Sequence, residues 1–170
     1  ILRSSFQYAE DLSMALPKIL VDEEEDALRT SLYLALWASC PSYYGSPTPR
    51  KAASTVYQQL PSLVDNVREN HIEQLIVYLQ DMISKRTSEG IMNTEIAIVT
   101  SNVGSGLFAD LLIGHVLLSL NVCDRIRYIT RSIPDEAGVL VKDVLGAIGI
   151  LSDPASSDVW TVRHFGDALG

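Results

Sequence analysis

The chain has 170 residues, with 13 Lys and Arg against 21 Asp and Glu, for a formal net charge of −8. An acidic chain with a sequence pI near 4.7 carries no basic footprint for a polyanion, which sets nucleic-acid binding aside. Apolar residues at 47% and charged residues at 20% suit a packed core rather than intrinsic disorder, and the longest apolar stretch, Leu107 to Leu120, is interrupted by Asp110 and His115 and falls short of a membrane span.

The spacing predicts a helical first part. Phe6, Leu12 and Leu16 mark an apolar face that ends at Pro17. The acidic run Asp22 to Asp26 precedes a Leu- and Ala-rich stretch from Ala27 to Trp37 and reads as the start of a helix, where carboxylates complement the dipole. Cys40 to Pro49, with three prolines, a glycine and paired tyrosines, reads as a loop. Helical spacing returns from Lys51 to Arg86, interrupted at Pro61. In its second part Ile72, Leu75, Ile76, Leu79 and Ile83 form an amphipathic stripe suited to core packing.

From Glu95 the character changes. Ile96 to Val99 reads as a buried strand, Ser101 to Gly106 as a glycine-containing turn, and Leu107 to Leu120 as a helix apolar nearly all round. A plain reading of the turn makes Ser105 the helix N-cap. Arg125 to Ile133 alternates as a second strand, and Val139 to Leu151 is helical again. Strand, buried helix and strand in so short a span make a parallel βαβ unit at about 95–133. The expected fold class is therefore α/β: a mainly helical part over 1–90, then a Rossmann-like three-layer αβα core over 91–170. The whole reads as a single domain. A start at Ile1 without a methionine and an end on Asp167 to Gly170 suggest a piece of a longer family domain. Cys40 and Cys123 show neither disulfide density nor zinc spacing, which favours two thiols in a reducing compartment and a cytoplasmic location.

In an open parallel sheet, ligands sit beyond the carboxyl ends of the strands, where helix amino ends point N–H groups at anions. Here that place is Thr100 to Gly106. Asn102 offers a carbonyl oxygen to a hard cation or an amide to phosphate, and Gly104 and Gly106 allow close backbone approach. Gly104 to Ala109 also fits the G-x-G-x-x-A form of the dinucleotide fingerprint, although Arg131 stands about where its acidic residue belongs, so a dinucleotide or S-adenosylmethionine is a rival ligand. Asp110 inside an apolar helix needs a partner or a positioning role. His115 suits a core histidine, and Trp37 and Trp160 suit core or interface anchors.

Ile98-Val-Thr-Ser-Asn-Val-Gly-Ser-Gly-Leu-Phe-Ala-Asp-Leu-Leu112 resembles the central motif of the metal-dependent damage-control phosphatases, also called the acidic-residue methyltransferase-like or sugar-phosphate phosphatase family. That motif is a strand ending in Asp-Asn, followed by Ala-Gly-Phe-Glu-Leu and a helix with Thr-Asp-Leu. Asp124 to Tyr128 leading into Ile133-Pro134 is similar to the family's second strand and its Ile-Pro-Trp-Phe segment. Leu36-Trp37 within Ser31 to Ser39 is similar to its Ser-Leu-Trp-Gly-Asn motif, and Asn70 to Glu73 falls where the family carries an intervening helix. The resemblance implies metal-dependent hydrolysis of sugar phosphates or related small phosphorylated metabolites, with protein-carboxylate methylation a weaker implication.

It also implies a divalent ion, Mn²⁺, Co²⁺, Ni²⁺ or Mg²⁺, near Asn102. The departures bear on that ion. Ser101 stands at the position of the motif's Asp ligand, and Gly104-Ser105-Gly106 replaces Gly-Phe-Glu. The later Asp ligand corresponds to Val139 without a gap or to Asp143 with a short insertion. Ser39 replaces the Asn of Trp-Gly-Asn. The implied metal residues are thus Asn102 and Asp143; the implied phosphate contacts are Gly104, Ser105, Gly106, Ser39 and Trp37, with Asp110 behind them. Losing one carboxylate weakens a hard-ion site, which leaves as alternatives a catalytically degenerate site, a weak or rearranged one using Asp143, or a non-catalytic scaffold of the same fold.

Overall fold

The structure, a computed structural model, describes residues 24–38, 64–65, 67–100, 103–133 and 138–152. They form helix α1 (Glu24–Ala38), helix α2 (Ile72–Glu89), strand β1 (Glu95–Val99), helix α3 (Ser105–Ser119), strand β2 (Arg125–Ile129) and helix α4 (Val141–Ser152). The architecture is mixed α/β, and β1 and β2 are parallel, in register from Glu95 opposite Arg125 to Val99 opposite Ile129. The expected helix at Phe6 to Leu16, the loop at Cys40 to Pro49, Ser39, Ser101, Asn102, Trp160 and Cys40 lie outside the described residues.

Helix α3 is the centre of the molecule. Leu107, Phe108, Ala109, Leu111, Leu112 and Val116 are all buried, as its all-round apolar sequence requires. One side packs on the sheet and another on α1, with α2 beside α1. The layering is therefore sheet, α3, α1. A Rossmann-like core carries helices on both faces of the sheet, and the described residues cover one of those faces. Among the described residues the outer face shows Val99 at 71% and Ile129 at 44% exposure. The expectation of a fully buried β1 is corrected accordingly: Ile96 and Ile98 are half-buried toward the core, while Glu95, Ala97 and Val99 are exposed. Alternation of burial, hidden in an apolar run, is what a strand covered on one face shows.

Several boundaries also shift. β2 ends at Ile129, not Ile133, because β1 has left the sheet by then: the Thr100 backbone N–H and its hydroxyl both donate to the Ile129 carbonyl at 3.0 Å. The Arg131 amide then donates to the Val139 carbonyl, turning the chain toward α4. α1 starts at Glu24, so part of the acidic run forms its first turn. On α2, only Ile76 and Leu79 of the predicted stripe are buried, and Leu75 is exposed.

Polar contacts orient these helices. Gln80 donates to Glu25 at 3.3 Å, the Arg29 guanidinium holds Glu73 at 2.8 and 2.9 Å, and the Asn70 amide donates to the Tyr33 hydroxyl. Rising numbers on α1 meet falling numbers on α2, so the two helices are antiparallel. At the far end of α2, Arg86 grips Asp124 with two bonds of 2.7 and 2.8 Å, and Asp124 also accepts from the Thr94 amide at 2.8 Å. That clamp sets the carboxyl end of α2 beside the amino ends of both strands. The carboxyl end of α1, with Trp37, therefore points away from them, toward the end where α3 begins.

Candidate functional site

The turn between β1 and α3 sits at the carboxyl end of the parallel pair, as a βαβ unit dictates. Its local geometry differs from the expected Ser105 cap. Gly104 is the N-cap, at φ 92° and ψ −138°, and Ser105 is already the first helical residue. A side chain at φ 92° is strained, so glycine is the residue this turn accepts. A glycine N-cap has no oxygen to give the first-turn N–H groups, and no side-chain cap bond forms there. This helix opening is thus suited by geometry to an acceptor from a ligand. Gly104 and Ser105 are half-buried, and Gly106 is buried.

Asp110 follows in the second turn. It is half-buried, and burial pushes its carboxyl up to about 6. No hydrogen bond or ion pair among the described residues offsets that burial. Tyr128, on β2, lies near enough for the Asp110 charge to act on its phenol, which burial raises well above the ordinary range. The Tyr128 hydroxyl is buried, has no hydrogen-bond partner among the described residues, and is set against Gly114 of α3. Sequence reasoning treated Tyr128 as one residue of an alternating strand. Its reach to the middle of α3 could have been anticipated from the glycine four residues after Asp110.

Trp37 packs half-buried against the core, as expected of an anchor, and its indole Nε1 is buried without a partner among the described residues. His115 is a core histidine at 1% exposure, its Nε2 3.4 Å from the Ser119 hydroxyl. Cys123 is a buried free thiol.

Asp143 is in the first turn of α4. Its Oδ2 accepts from the Leu140 amide at 2.9 Å while the Asp143 amide donates to the Leu140 carbonyl at 2.9 Å. This is the reciprocal half of a capping box, with the carboxylate reaching back to an orphan N–H at the helix start. Among the described residues no group of three or more His, Cys, Asp and Glu side chains stands together as a metal site. The described donors to the ion implied by the resemblance reduce to this one hydrogen-bonded carboxylate. Ser101 and Asn102, the neutral residues that the resemblance sets at the other ligand positions, lie outside the described residues, and such a set is poor in the anionic donors a hard cation prefers.

A groove of about 300 Å³ lies along β2 near the opposite end of α3, lined by Glu95, Leu118, Arg125 and Arg127 among others. Arg127 there pairs with Glu95 at 2.8 Å. No helix among the described residues is long and apolar enough to cross a membrane. Compared with known proteins, the sequence matches no protein-family model and no curated protein.

Proposed function

We propose that this chain is a divergent domain of the damage-control phosphatase kind that binds a small phosphorylated metabolite at the turn from Thr100 to Gly106, with its metal-dependent hydrolysis degenerate. The observation that carries the reading is the helix opening at Gly104. It lies at the carboxyl end of a parallel strand pair and carries no side-chain cap. It also falls within the segment Ile98 to Leu112, on which the family resemblance rests. Backbone N–H groups at the α3 opening would donate to phosphate oxygens, and Trp37, at the same end of the molecule, would flank the organic part. The replacement of a carboxylate by Ser101 and the capping role of Asp143 support weak metal affinity. Cytoplasmic residence fits a metabolite ligand and the free Cys123 thiol.

Calorimetry with a sugar phosphate and assays of phosphate release with Mn²⁺, Co²⁺, Ni²⁺ and Mg²⁺ test this. We expect binding without robust turnover, weakened at least tenfold by Gly104→Val. Rapid metal-dependent release of phosphate would overturn the degenerate assignment, and absence of binding would overturn the site. Tight metal binding untouched by Asn102→Ala would overturn the placement of the ion. A second reading has one observation in its favour: Gly104 to Ala109 follows a strand and opens a helix, the context that a dinucleotide fingerprint requires. A thermal-shift response to NADPH, NADH or S-adenosylmethionine, and none to sugar phosphates, would select it.

A further inference from the structure

The Arg125 amide donates to the Thr94 carbonyl at 3.3 Å, and the Ile129 carbonyl accepts from the Thr100 amide at 3.0 Å. The odd-numbered residues of β2 therefore turn their N–H and C=O groups toward β1. Strand alternation turns those of Ile126 and Tyr128 the opposite way, and β1 is the strand that β2 pairs with among the described residues. The groove of about 300 Å³ runs along this outer edge. Both faces of β2 line it at once: Arg125 and Arg127 from the exposed face, Ile126 and Tyr128 from the face toward α3, with Leu118 of α3 and Glu95 beside them. We propose that this edge takes an extended peptide segment of another protein, in which acidic residues alternate with apolar ones, as an added strand beside β2.

The outward N–H and C=O groups of Ile126 and Tyr128 bond the main chain of the segment, as in strand addition to any open sheet edge. Its side chains then fall alternately on the two faces. The inner ones rest on Leu118 and Ile126, which selects apolar residues there. The outer ones face Arg125 and Arg127, and charge selects them. Arg125 enters no ion pair among the described residues, while Arg127, with a side chain 66% exposed, holds Glu95 on one side and is open on the other. Asp124, at the amino end of the groove, is committed to Arg86 and the Thr94 amide. The edge is thus a local basic strip on a chain of net charge −8, and carboxylates opposite it are favoured. A second copy pairing β2 with β2 about a two-fold axis sets these arginines against their own counterparts on one face, which like charges oppose.

The test titrates into the full chain a short synthetic peptide that alternates glutamate and valine, with its lysine–valine counterpart as the control. Calorimetry reads binding, and hydrogen exchange resolved at single amides reads occupancy of the edge. The glutamate peptide should bind at least about tenfold more tightly than the lysine peptide and slow exchange at Ile126 and Tyr128. Arg125→Glu combined with Arg127→Glu should reverse the preference, and capture of the lysine peptide by that variant shows that it is folded. Arg125→Ala, which removes no contact among the described residues, should by itself weaken the glutamate peptide by about threefold. Binding of neither peptide, equal binding of both, or binding that leaves the Ile126 and Tyr128 amides unprotected overturns the proposal. So does slow exchange at those two amides in the peptide-free chain: sedimentation as a dimer then assigns the edge to a second copy, and sedimentation as a monomer assigns it to the chain itself.

Discussion

The hydroxyl oxygen of Tyr128 lies 2.1 Å from where a Cβ on Gly114 would stand. Helix α3 and strand β2 approach each other at this point only because position 114 has no side chain. The phenol ring then fills the space between them, and its hydroxyl is buried without a partner among the described residues. Close helix–sheet packing is thereby obtained together with an unsatisfied polar atom, a combination that makes the pair experimentally informative.

Gly114→Ala forces the Tyr128 ring to move or α3 to lift, and overpacking of this kind costs about 1–3 kcal/mol. Denaturant unfolding should show that loss. Tyr128→Phe alone removes a buried hydroxyl with no bond to lose and should be neutral or stabilise by about 1 kcal/mol. In the double variant the loss from Gly114→Ala should shrink, a coupling a double-mutant cycle reads directly. Strict additivity would show that the two residues do not share this contact.

Asp110 makes stability depend on pH in the unusual direction for a carboxyl. Its folded-state value is raised to about 6 by burial, so the native state binds the proton more tightly than the unfolded chain does. The contribution is full below the ordinary carboxylate range and is lost as pH rises through about 6. Asp110→Asn should therefore stabilise the protein at about pH 7.5, on the order of 2 kcal/mol, and have little effect at about pH 4. Chemical denaturation at the two pH values checks the sign.

Asp124 behaves oppositely. Its two bonds from Arg86, and a further one from the Thr94 amide, hold its carboxyl down at about 2. The stability it contributes is present above the ordinary carboxylate range and disappears as pH falls toward about 2. Asp124→Asn and Arg86→Ala should each lower the melting temperature at neutral pH. Their deficits should fade on acidification, and the double variant should lose less than the sum. A deficit independent of pH would count against the ion pair as its cause.

Asp143→Ala should remove the reciprocal cap at the start of α4 and cost about 1 kcal/mol. If capping is the role of this carboxylate, the loss will be the same with and without Mn²⁺. A loss that grows when Mn²⁺ stabilises the wild type would show that Asp143 is a ligand as well.

The elements themselves were legible in the sequence to within a few residues. An all-round apolar helix between two short β-rich runs could form only a buried crossover, and the parallel pairing of β1 with β2 followed. The expected Ser105 cap failed for a local reason: glycine at 104 opens the helix one residue earlier than a hydroxyl cap would. The buried β1 failed for a tertiary one, since an apolar run reads the same whether one face or both are covered.

What the sequence determined by itself, then, is the order of elements, the central position of α3 and the place of the turn at the strand carboxyl ends, because periodicity and chain connectivity are local properties. Only the tertiary structure decided that Tyr128 reaches Gly114, that Asp110 is desolvated with no counter-charge among the described residues, and that Arg86 clamps Asp124 across 38 positions of sequence. Such pairings depend on which side chains meet when the layers close. The free energy of each depends on the dielectric surroundings that packing creates, and no window of sequence contains either.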